Sequence, residues 1–141
     1  MEYGALHPDG YMPRLIDRVL ADRLKQFGAV EVAGTMWCGK TWTSMSQGNS
    51  IARISSSSVR LASESDPETA LIGDKPHVID EWQDVPPIWD EVRTRIDESG
   101  GKPGQFILSG SSQPKVTAIP IRAYMRLRVI TCVHTLFQYL L

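Results

Sequence analysis

The sequence predicts an α/β fold, with a mostly parallel sheet covered by helices on both faces. Three observations carry this. Strand-like apolar runs alternate with helix-like runs along the chain. Two of the runs, "HVID" and "FILSG", are short, apolar and end in polar residues, as buried parallel strands do. The glycine-containing stretch "GTMWCGKT", residues 34–41, lies between a strand-like and a helix-like segment.

The elements follow in order. "YMPRLIDRVLADRLKQFG", 11–28, reads as a helix. Pro13 suits its first turn. Leu15, Ile16, Val19, Leu20, Leu24 and Phe27 make one apolar face, and Gly28 stops it. "AVEVA", 29–33, is a short strand that runs straight into the glycine loop. "TWTSMSQ", 41–47, forms a short helix despite weak propensity. "SIARI", 50–54, alternates like a strand. Residues 55–73 read as a loop with one or two helical turns, its four serines solvated. "HVID", 77–80, is a strand ending in acids. "PPIWDEVRTRID", 86–97, is a helix opened by Pro86 and Pro87, with Ile88, Val92 and Ile96 on one face and Gly100-Gly101 at its end. "GQFILSGSS", 104–112, is a further buried strand running into a small polar loop. There is no internal repeat and no clear interdomain linker.

Composition bounds the class. The 141 residues suffice for one domain with a real core. No apolar run approaches the roughly 20 residues a membrane helix needs. "MEYGALHPDG" lacks the basic and apolar regions of a signal peptide. Cys38 and Cys132 are the only cysteines, too few for a disulfide framework. Together these favour a cytoplasmic protein. All 16 acidic residues lie in 1–114 with 11 Lys and Arg, about −5, whereas 115–141 carries Lys115, Arg122, Arg126 and Arg128 and no acid, about +4. Four charges in so apolar a tail are a weak nucleic-acid footprint.

"GTMWCGKT" has the spacing GxxxxGK[ST] of a phosphate loop. Gly34 and Gly39 permit a tight wrap in which backbone N–H groups point at phosphate oxygens. Thr35, Met36, Trp37 and Cys38 occupy the variable positions, and Cys38 has no catalytic role in this reading. The helix start after the loop adds its positive dipole end. Lys40 would reach the β- and γ-phosphates, and the Thr41 hydroxyl would ligate Mg²⁺. Such a loop needs a carboxylate at a neighbouring strand tip. Asp80 would hold the Mg²⁺ shell and Glu81 would orient and deprotonate the attacking water. The plainer alternative is that both acids cap the next turn. An adjacent Asp-Glu pair also argues for hydrolysis over transfer to a small molecule. Ser109 or Ser111 could contact the γ-phosphate or that water, or could belong to a simple Ser-Gly turn. His7, His77 and His134 have no metal-ligand spacing. No Asn-Lys-x-Asp guanine-reading motif occurs, so adenine is the expected base. Trp82 and Trp89 are expected to pack in the core.

Those residues, from "YMPRLIDRVL" through "VAGTMWCGKTWT" and "HVIDEWQ" to "GQFILSGSS", resemble the predicted AAA-type ATPases of bacteria and archaea that pair an N-terminal ATPase domain with a C-terminal domain of unknown function. The likeness covers residues 11–114. It implies a P-loop NTPase fold with AAA-like strand order, in which the Phe106 strand lies between the "AVEVA" and Val78 strands. It implies phosphate-loop roles for Gly34, Gly39, Lys40 and Thr41, Walker B roles for Asp80 and Glu81, and a sensor role around Ser109. Ser55 to Ser58 replace the acidic turn usual in the family. Beyond Pro114 the likeness stops. The basic and apolar residues 115–141 are expected to be a truncated or frameshifted end, with "MRLRVITCV", 125–133, adding a fifth strand beside "AVEVA" on the side away from the Phe106 strand. The expected ligands are ATP and Mg²⁺. A homo-oligomer is allowed, no membrane contact is expected, and nucleic acid is left open. The residues leave three outcomes: an ATPase, a module that holds nucleotide without turnover, or a fragment too incomplete to bind.

Overall fold

The computed structural model describes residues 2–34, 39–110 and 127–132. They form an α/β unit with one all-parallel sheet. The strands are β1 (Ala29–Gly34), β2 (Ser50–Arg53), β3 (His77–Asp80), β4 (Phe106–Gly110) and β5 (Leu127–Cys132), in the spatial order β2-β3-β4-β1-β5. The Phe106 strand therefore lies between β1 and the Val78 strand. The strand sought in 125–133 occupies Leu127–Cys132, parallel to β1 on its other side.

Side chains alternate across a strand with period two, so each row of paired residues faces one side. The row Val30, Ile107, Val78 and Ile51 packs with Ile16, Leu20 and Leu24 of helix α1 (Leu15–Leu24). The shifted rows with Ala29, Phe106, Leu108 and Ile79 pack with Trp82, Val85, Ile88, Trp89, Val92 and Ile96. Most of these come from helix α4 (Ile88–Glu98) and from the 3-10 turn Trp82–Asp84 before it. Helices thus cover both faces. Helix α2 (Lys40–Gln47) follows β1 and packs beside α1.

Several local expectations need correction. Helix α1 is shorter than 11–28, because Arg14 stays extended before it and the chain leaves the helix at Lys25. Leu15 and Val19 are exposed, not part of the apolar face, since a ten-residue helix lies on the sheet with only a narrow stripe. Gly28 is not a left-handed stop; a Cβ there would meet Ile96 Cγ2 at 2.7 Å, so the residue serves close approach to α4. The serine-rich segment is helix α3 (Ser57–Ser65), followed by a 3-10 turn at Pro67–Leu71 whose N–H at Glu68 is accepted by the Asp66 carboxylate. Trp82 and Trp89 do pack, with ring centroids 4.9 Å apart.

His77 is buried at the start of β3, its Nδ1 2.6 Å from Ser50 Oγ and its Nε2 2.8 Å from the Ala70 carbonyl. Burial pulls its pKa below the ordinary 6.5; Lys75 adds to that and the Ala70 carbonyl opposes it. The folded state thus prefers the neutral ring. Its contribution is whole above the unfolded pKa and is lost as pH falls below it. Lowering pH from about 7.5 to about 5.5 should cost the wild type more stability than His77→Gln. Urea melts of both proteins at the two pH values check this, and equal losses would refute it.

Candidate nucleotide site

The carboxyl ends of parallel strands form one edge of the sheet. Here β1 connects toward β2 while β4 connects across β1 to β5, so the chain parts in opposite directions at the β1–β4 border. Crevices outside such a switch point are where α/β sheets bind ligands. Four residues line up near this edge in one row: Val32, Ser109, Asp80 and Arg53. The row lies two residues beyond Val30, Ile107, Val78 and Ile51, and so faces the same side, toward α1 and α2.

Helix α2 meets that row. Gly39 caps it with φ 83°, a left-handed conformation that suits glycine, and Lys40 is its first residue, buried. Thr41 Oγ1 donates to Asp80 Oδ1 at 3.1 Å. Ser109 Oγ donates to the same oxygen at 2.7 Å. Two residues that lie far apart in sequence, Thr41 and Ser109, therefore converge on one carboxylate oxygen of Asp80. Asp80 and Ser109 are buried, so the site is polar inside a largely apolar shell. Arg53 Nη1 lies 3.9 Å from Asp80 Oδ2 with its side chain half exposed, a contact that contributes little.

Glu81 follows β3 in a left-handed conformation, φ 60°, the one positive-φ residue other than glycine among the described residues. Its N–H donates to the Ser109 carbonyl at 2.7 Å, which ties it to the tip of β4. Its carboxylate accepts from the Gln83 amide. Gly110 makes room for that amide, because a Cβ there would overlap Gln83 Oε1. Glu81 heads the 3-10 turn but makes no side-chain cap. Gly34 ends β1. Thr35, Met36, Trp37, Cys38 and Ser111 lie outside the described residues.

The oxygen donors fit Mg²⁺. One carboxylate and one hydroxyl, close together, are the sparse set this ion takes when phosphate and water complete its octahedron. Among the described residues no group of three or more His, Cys, Asp and Glu could hold a metal by itself. No helix among them is long and apolar enough to cross a membrane.

Sequence reasoning missed four polar residues near this end of the sheet: Arg14, Arg53, Gln83 and Glu31. Glu31 had a readable signal, a lone charge inside the strand "AVEVA". It sits in the row with Leu108 and Ile79, so it faces α4 and not α2. Trp82 Nε1 donates to Glu31 Oε1 at 3.3 Å. Arg14, Arg53 and Gln83 carried no local signal, because their partners are set by tertiary structure.

Compared with protein-family models and with curated proteins, the chain has no match.

Burial raises the pKa of Glu31 above the ordinary 4.5, and the Trp82 bond only partly opposes this. A raised carboxylate contributes stability below its unfolded pKa and loses it as pH rises through the folded value. Glu31→Gln keeps an acceptor for the indole and removes that loss. Its stability should therefore gain on the wild type as pH rises from about 4 to about 7. Denaturant midpoints across that range test it; a constant difference would mean that Glu31 does not titrate differently on folding.

Proposed function

We propose that the chain binds Mg-ATP at residues 34–41, Asp80, Glu81 and Ser109, as the ATPase domain of a P-loop, AAA-like protein. The observation that carries this is the convergence of Thr41 and Ser109 on Asp80, beside the buried Lys40, at the switch point of a parallel sheet. A phosphate-loop hydroxyl beside a strand-tip carboxylate is the donor pair that Mg-nucleotide sites use. The strand order supports the same reading. In it, Lys40 neutralises phosphate charge, Gly39 and the start of α2 aim N–H groups at phosphate oxygens, and Thr41 and Asp80 hold Mg²⁺. The bound ion would neutralise charge on the β- and γ-phosphate oxygens. Ser109 orients the Asp80 carboxylate. Glu81 takes the proton of the attacking water.

One observation favours a second reading, a module that holds ATP without turning it over. The Glu81 carboxylate accepts from the Gln83 amide. Turnover in this arrangement needs the Glu81 side chain to leave that amide.

Two variants separate the possibilities. Lys40→Ala should remove measurable MgATP binding, since charge-assisted bonds of this kind contribute about 1.5–3 kcal/mol each. Calorimetry giving equal affinity for wild type and variant would end the phosphate-loop reading. Glu81→Gln should keep binding and, if the chain hydrolyses ATP, slow single-turnover cleavage by roughly 10²–10⁴. Binding with no cleavage in the wild type selects the module. Cleavage that Glu81→Gln leaves unchanged assigns Glu81 to the turn alone.

A further inference from the structure

We propose that Arg14 is a positioning residue of the phosphate loop, a role that rests on the nucleotide-binding reading above. Arg14 lies before α1, some 25 residues from the loop's second glycine. Its Nη1 donates to the Gly39 carbonyl at 2.7 Å and to Thr43 Oγ1 at 2.8 Å. A Cβ on Gly39 would overlap the guanidinium, so this glycine is required twice, for its left-handed φ and for Arg14.

The anchoring behind the guanidinium is built into the start of α1. The Arg14 N–H donates to Asp17 Oδ2 at 2.9 Å, and Tyr11 OH donates to Asp17 Oδ1 at 2.5 Å. Asp17 is fully buried. The Arg14 guanidinium carbon lies 5.3 Å from the centre of the Tyr11 ring. Burial and the Asp17 carboxylate push the Tyr11 phenol upward, so it remains a donor at physiological pH.

The physical consequence concerns carbonyl direction. N–H groups can converge on an anion only where neighbouring carbonyls turn away and find other partners. Among the described residues the Gly39 carbonyl has two: the Thr43 N–H at 3.0 Å and Arg14 at 2.7 Å. The first belongs to any helix start. The second is charge-assisted and comes from another element, so it fixes the orientation of the peptide that joins Gly39 to Lys40. Arg14 therefore acts through the loop and not on the base or ribose. Its role extends to any ligand with a chain of phosphates.

The experiment is calorimetric titration of wild type, Arg14→Ala, Arg14→Lys and Thr43→Val with MgATP and with magnesium tripolyphosphate, well below each melting temperature. Arg14→Ala should weaken both ligands by the same factor, about tenfold or more. Arg14→Lys should recover only part, because a flexible, strongly hydrated ammonium keeps the charge but lacks the planar guanidinium's pre-organised donor geometry. Thr43→Val, nearly isosteric, should weaken both ligands in the same direction by a smaller factor, and it keeps the test open if Arg14→Ala does not fold. A lower melting temperature with wild-type affinity would make Arg14 a mere tether between α1 and α2 and overturn the assignment. Loss confined to MgATP would place Arg14 against the nucleoside and also overturn it. A wild type that binds neither ligand removes the phosphate-loop reading itself, and the assignment falls with it.

Discussion

Parallel register is the constraint on which the rest of this structure depends. Ser109 pairs with Val32 in β1 and with Asp80 in β3, and Asp80 pairs with Arg53 in β2. A slip of one residue in any pairing would turn that strand's side chains to the opposite face. Asp80 would then point at α4 and lose both hydroxyl donors. The apolar row behind it resists such a slip, since Val30, Ile107 and Val78 are fully buried against α1. Hydrophobic packing one turn of the pleat away thus sets the aim of the polar groups at the edge.

The two faces of the sheet divide the work. The α1–α2 face carries the Thr41–Asp80–Ser109 contact and the Arg14 anchor. The α4 face carries the larger core, and at its upper end the indole of Trp82 and the carboxylate of Glu31. Residues 80–83 cross between the faces. Asp80 belongs to one, Trp82 to the other, and Glu81 takes a left-handed conformation between them. That backbone is costly for a residue with a side chain and persists because both neighbours are held. Trp82 is buried, and Asp80 accepts two hydrogen bonds.

Much of this was legible in the sequence. The alternation of elements gave the sheet, and the spacing of "GTMWCGKT" and the acids of "HVIDE" pointed to residues that meet in space. Local signals sufficed because each motif sits at a strand end, where a parallel fold collects such ends on one edge. Helix length was less legible. The apolar pattern in 11–28 includes Leu15 and Val19, yet only Ile16, Leu20 and Leu24 of the helix reach the core. Periodicity describes a face but not how much of it a neighbour covers. Polar partners were least legible. Nothing near Arg14 announces Gly39, and nothing in "DEWQ" says that the glutamine folds back on the glutamate over Gly110, at the end of a later strand. Those contacts follow from how strands and helices come together.

The Trp82 contacts give the molecule an optical reporter. The indole follows Glu81 directly in the chain, packs at a tilt against Trp89, and is buried with its N–H on a carboxylate. Indole emission responds to charge and polarity close to the ring. Trp42 on α2 is about half exposed and adds a water-facing emitter that a soluble quencher reaches first. Of the tryptophans among the described residues, the buried Trp82 and Trp89 would supply the blue component that remains after quenching. A shift of the turn that carries Glu81, or a proton on Glu31, would then register as a change in colour without any label on the protein.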